Sequence, residues 1–114
     1  MLNHDEKDKF PADLEELIIN PKILGNAAPD EWYYYLKNKG YDLLPLGKGN
    51  HVNIPYKEGG GFRIHWGGDR IFSYHPPNRS HHGEAYWKLS SGATGIKRYE
   101  LNGDLKPEGK EQVE

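Results

Sequence analysis

Cysteine is missing from this chain altogether, and methionine occurs once. Without cysteine there is no disulfide framework, no thiolate zinc site and no cysteine nucleophile. The redox compartment stays open, because a protein that crosses oxidising and reducing spaces can also do without thiols. No apolar run approaches the ~20 residues a membrane-spanning helix needs, and the opening MLNHDEKDKF lacks the apolar centre of a signal peptide. These absences predict a soluble chain with no membrane partner, any export information lying outside it. Internal repeats and low-complexity segments are also lacking. What is present, 114 residues, is enough for one domain with its own core.

A large excess of either charge is lacking too, since the formal net charge is -2. The total hides an asymmetry. Residues 1–58 carry 7 basic and 10 acidic side chains, residues 59–101 carry 6 and 3, and residues 102–114 carry 2 and 4. Four of the six histidines fall in the basic block. A locally positive surface suits an anionic substrate whatever the total charge.

Residues 1–10 are polar and predicted to be disordered, residues 11–107 to form one domain, and 108–114 to be a polar tail in the NGDLKPEGKEQVE stretch beyond Leu101. Leu14, Leu17 and Ile18 have the spacing of a short helix, with Pro11 at its start and Asn20-Pro21 as its stop. A second helix opens at Pro29, with Asp30 and Glu31 in its first turn, Lys37 and Lys39 near its end and Gly40 as cap. Trp32, Tyr35 and Leu36 form its core face.

After Gly40 the period changes from 3.6 to 2. YDLLPL reads as a short edge strand, and GKGNHVNIPYKEGGG as a long loop over the sheet. FRIHW, RIFSYH, EAYWKLS and IKRYEL, separated by short glycine-bearing turns or the PPNRSHH loop, read as an antiparallel meander. Phe62, Ile64 and Trp66 then share one face with Ala85, Trp87 and Leu89. Arg63, His65, Glu84, Tyr86, Lys88 and Ser90 share the other. Ile71 and Phe72 are adjacent and must face opposite ways, which requires strong twist or burial on both faces. The predicted fold is α+β, with two N-terminal helices packed on a four- to five-stranded antiparallel sheet.

The polar face and HPPNRSHH carry the chemistry. Internal transfer in RNA needs a base for the ribose 2′-hydroxyl proton, an acid for the departing 5′-oxygen, and cations or hydrogen-bond donors at the phosphate. His75, His81, His82 and Glu84 are of the acid–base type, while Lys88, Arg63, Arg70, Ser91 and Thr94 can hold phosphate. His65 falls on the same face by strand alternation, and Tyr86 offers a hydroxyl or a ring for a splayed base. Even spacing puts His82, rather than His81, with Glu84, Tyr86 and Lys88. Singly, each residue has an ordinary reading: Ser91 and Thr94 suit a turn around Gly92, and His51 a loop. A metal reading would pair His75 with His82, or His65 with either, and add Glu84 or Asp69. No established metal spacing occurs, so neither metal nor cofactor is expected.

The segment HHGEAYWKLSSGATGIKRYEL, within residues 40–107, resembles the ribonuclease modules at the C-termini of bacterial polymorphic toxins of the contact-dependent inhibition and LXG types. The likeness lies in the His-His-Gly loop, the aromatic-Lys strand, the Ser-Ser-Gly turn and a closing strand rich in Lys, Arg and Tyr. It implies His81, His82, Lys88, Ser91 and Thr94 as site residues and a barnase–EndoU–colicin–RelE layout. It further implies delivery as the C-terminal part of a larger protein, action in a target cell's cytoplasm, RNA as substrate and a cognate immunity protein as partner. That partner would be acidic where it meets residues 59–101, with the domain otherwise a monomer. The slightly acidic balance departs from the clearly basic charge of many such toxins. Two other classes stay open: a metal-dependent deoxyribonuclease toxin, and a non-enzymatic RNA- or protein-binding module.

Overall fold

The computed structural model describes residues 9–49, 51–77 and 83–107. Helix α1 spans Glu15–Ile19 and begins later than Pro11, because the Asp13 side chain accepts the Glu15 N–H at 2.9 Å and forms the turn that starts it. Leu14 and Leu17 are buried beneath it, and Ile18 packs at the margin of the core. The chain then tightens into a 3₁₀ turn, Pro21–Asn26, in which only Leu24 is buried.

Helix α2 spans Pro29–Asn38. Proline at its first position loses no bond, since that N–H has no partner inside a helix. The Glu31 carboxylate reaches back to accept the Ala28 N–H at 2.9 Å. Trp32 and Leu36 face the core with no exposure, and the Tyr35 hydroxyl donates to the Pro11 carbonyl at 2.9 Å. Gly40, at φ +96°, turns the chain out of the helix.

The four strands are β1 (Phe62–Gly67), β2 (Arg70–His75), β3 (Tyr86–Ser91) and β4 (Gly95–Tyr99), an antiparallel meander in sequence order. The fold is α+β. YDLLPL does not make a fifth strand: it contributes one bridge, in which Leu44 and Arg63 exchange N–H to carbonyl bonds of 3.0 and 2.8 Å. The pairing ends there: two residues on, the Leu46 carbonyl accepts the Asn53 N–H at 2.9 Å from its own loop. The following loop returns through a 3₁₀ turn, Tyr56–Glu58, to Gly59-Gly60-Gly61. A Cβ at Gly60 would stand 1.9 Å from the Ile54 carbonyl oxygen, and one at Gly61 2.1 Å from that of Tyr74. Only glycine admits such close backbone approach.

Strand alternation separates the faces as the pattern predicts. Phe62, Ile64, Phe72, Tyr74, Trp87, Leu89 and Tyr99 are buried on the helix side. Trp32 links the two layers, lying 5.8 Å from the Phe72 ring and 6.0 Å from Trp87, with its indole N–H donating to the Leu24 carbonyl at 3.2 Å. Ile71 and Phe72 do face opposite ways, Phe72 wholly buried and Ile71 half-buried on the far face. Beyond Leu101 the chain is not yet a tail, because Leu105 bridges to Tyr99 and the Lys106 N–H bonds the Arg98 carbonyl at 2.9 Å.

Candidate functional site

On the face away from the helices the strand register draws one row of side chains across the sheet. Arg63 on β1 opposes Ser73 on β2, Ser73 opposes Lys88 on β3, and Lys88 opposes Arg98 on β4. His75 and Tyr86 form a neighbouring pair towards one end, while His65, Ile71, Ser90 and Ile96 form a row towards the other. Leu46, Gly47 and Lys48, from the loop after the isolated bridge, wall one side. Together with Arg63, Ser73, His75, Lys88 and the row at the other end they enclose a cleft of about 340 Å³, which Arg98 and Tyr86 adjoin through their strand partners Lys88 and His75.

Local contacts fix several of these side chains. The Arg63 Nε donates to the Pro45 carbonyl at 2.9 Å. Ser73 is 3% exposed, and its Oγ lies 2.9 Å from His75 Nε2. The His75 ring stacks on Tyr86 with centroids 4.6 Å apart and planes within 1° of parallel. Lys106 Nζ stands 5.8 Å from the centre of the Tyr86 ring.

Burial, followed by the charges of Lys88, Arg98 and His51, pushes the His75 pKa down to about 4. Burial, followed by Arg98 and Lys48, also lowers that of Lys88. At neutral pH His75 is therefore an uncharged imidazole among cations, with a ring nitrogen able to accept a proton.

The same shift has a consequence for stability. Unfolded, the histidine titrates near its ordinary 6.5; folded, near 4. Between these values the unfolded chain binds the extra proton, so stability falls as pH drops through that window and is fully recovered above it. The depression corresponds to about 3 kcal/mol. Urea unfolding from pH 7 to 4 is expected to show this loss, with a shallower slope in His75→Phe; equal slopes in both proteins would refute it.

The structure gathers His75, Lys88, Arg63, His65 and Tyr86 on this face, with His65 exposed at the rim. It places three predicted residues elsewhere. Arg70 turns towards α1, where its Nε pairs with Glu15 and its Nη1 with Asp69 at 3.3 Å. Ser91 lies on the helix side, 6% exposed, its Oγ 2.8 Å from Thr94 Oγ1 and accepting the Thr94 N–H at 3.1 Å. Ser91 and Thr94 thus close the β3–β4 turn. His81 and His82 lie outside the described residues. Among those described, no group of three or more His, Asp or Glu side chains converges as a metal site.

Sequence reasoning missed Ser73, Arg98 and Lys48. Alternation within RIFSYH puts Ser73 on the face of His75, so Ser73 was recoverable from spacing, whereas Arg98 comes to stand opposite Lys88 only through the β3–β4 register. Lys48 arrives through a loop path that no periodicity encodes. Comparison of the chain with protein-family models, curated proteins and solved structures found no match.

Proposed function

We propose that this face is the catalytic surface of a metal-independent endoribonuclease that cuts RNA by internal transfer. The observation carrying the reading is the neutral His75 imidazole beside Lys88 and Arg98, a proton acceptor adjoining cations that can hold phosphate. In this reading His75 takes the 2′-hydroxyl proton, the freed oxygen forms a bond to phosphorus, and the bond to the 5′-oxygen breaks. Lys88, Arg98 and Arg63 offset the charge that moves onto the phosphoryl oxygens. The departing oxygen takes its proton from His81 or His82, which the toxin resemblance singles out. Tyr86, already stacked on His75, offers its ring or hydroxyl to the adjoining nucleotide.

The biological setting rests on that resemblance: a toxin domain delivered into a competitor's cytoplasm as the end of a larger protein, with an immunity protein protecting its producer. An acidic partner would match Lys48, Arg63, Lys88 and Arg98 and associate quickly. Purified protein is expected to cleave single-stranded RNA undiminished in EDTA and to leave an all-deoxy strand of the same sequence intact. Activity lost in EDTA and restored by a divalent ion, or equal cutting of DNA, would favour a metal-dependent deoxyribonuclease instead. Binding without turnover would point to a non-enzymatic module.

A further inference from the structure

Lys88 and Arg98 sit directly opposite each other in the β3–β4 register, an arrangement that destabilises a sheet when the charges are alike. Arg63 continues the row one strand beyond Ser73, and Lys48 adds a charge from the overhanging loop. Among the described residues, neither aspartate nor glutamate lines the cleft. None of these four cations has a carboxylate within ion-pair distance among the described residues, although Lys9, Lys22 and Arg70 do. Lys88 is half-buried, so water relieves it only in part. The cleft therefore concentrates uncompensated positive charge where solvent is restricted, a field that favours a compact, multiply charged anion.

We propose that the cleft is a binding site for a phosphate dianion, the group present at a phosphorylated RNA end and in free inorganic phosphate. The proposal rests on the nuclease reading only for the RNA-end source, and it adds a ligand that reading does not name. A dianion answers the three lining cations, Lys48, Arg63 and Lys88, with Arg98 adjoining Lys88, better than the single charge of an internal diester does. Ser90, which lines the cleft, can supply a neutral donor to a remaining oxygen. Tyr86, paired with His75 at the cleft's end, is positioned for the nucleotide that carries the phosphate.

Thermal unfolding with inorganic phosphate, against sodium chloride of equal ionic strength, tests the site directly. At ten times its dissociation constant, phosphate is expected to raise Tm by roughly 5 °C. Dimethyl phosphate, a singly charged diester, should give less than half that shift at the same concentration. Lys88→Met and Arg98→Met should each abolish the phosphate shift, and Lys88→Met should raise Tm without ligand by removing the like-charge pair. Lys48→Ala, on an exposed loop, removes a cation without touching the sheet and should weaken phosphate binding several-fold. No shift in the wild type, equal shifts with the diester, or an undiminished shift in the variants would overturn the inference.

Two trinucleotides, 2′-O-methylated to resist cleavage and differing only in a 3′-phosphate or 3′-hydroxyl, separate the sources. Tighter binding by tenfold or more for the phosphorylated one assigns RNA ends, whereas equal binding beside a phosphate shift assigns free phosphate. RNA cleavage by a protein that does not bind phosphate would end this inference and leave the nuclease reading intact. Phosphate binding without cleavage would do the reverse.

Discussion

Replacing His75 with glutamine is expected to lower single-turnover RNA cleavage by about 10²–10⁴-fold, the range for a lost proton-transfer group. Glutamine is close in size and can still bond the Ser73 hydroxyl, which lies 2.9 Å from the imidazole in the native protein. The fold, checked by circular dichroism, should persist. The wild-type rate is also expected to rise with pH as His75 loses its proton near pH 4, and to owe none of its change near neutrality to this residue. That acid limb should vanish in the variant. Parallel His81→Ala and His82→Ala proteins test the loop histidines. If all three variants cut at the wild-type rate, this end of the face is not the catalytic centre, and His65 with Arg63 becomes the next pair to replace. A change of only a few-fold in His75→Gln would make the Ser73–His75 contact structural.

The second large effect concerns the joint between helix and sheet. Trp32→Ala is expected to cost about 3–5 kcal/mol in urea unfolding, the usual range for an aromatic core deletion. Against a typical total of about 5–15 kcal/mol for a domain, that leaves the chain close to unfolding. Trp32 has no exposure, and its ring meets Phe10 at 4.9 Å, Phe72 at 5.8 Å and Trp87 at 6.0 Å, joining the N-terminal segment, α2 and the sheet. Phenylalanine should restore only part of the loss, because the Leu24 carbonyl would forfeit the indole N–H it accepts.

Trp87 provides the contrast. It is equally buried, but its Nε1 has no hydrogen-bond partner among the described residues. Trp87→Phe removes a buried unsatisfied donor along with ring area, and the two effects oppose each other. Its cost should therefore be clearly smaller than that of Trp32→Phe. Equal costs would mean that ring volume alone decides both positions.

Periodicity along the chain determined a good deal. The 3.6-residue stripe of Trp32 and Leu36 and the two-residue alternation of Phe62-Arg63-Ile64-His65 assigned α2, the sheet and its two faces, because each pattern has one arrangement that buries its apolar side. Arg63, His65, Tyr86 and Lys88 were placed on the polar face by the same alternation. Alternation with Phe72 and Tyr74 already sets Arg70 on the helix side, but local patterning could not show that it would pair with Glu15 on α1, nor that the Ser91 hydroxyl would be taken up by Thr94. In both cases the competing partner was a matter of turn geometry or tertiary approach. YDLLPL had a strand's composition, yet how much of it could pair was decided by its meeting with β1 and by the loop that takes up the Leu46 carbonyl.

The candidate site depended on tertiary structure most of all. Sequence spacing gave no reason to set Lys88 opposite Arg98 or to hang Lys48 over them, since strand register and loop path are settled by packing across the whole sheet. The lowered proton affinity of His75 likewise required its burial beside those charges. Residue types and faces are local properties that the chain carries in its order; charge proximity and desolvation arise only when distant segments are brought together.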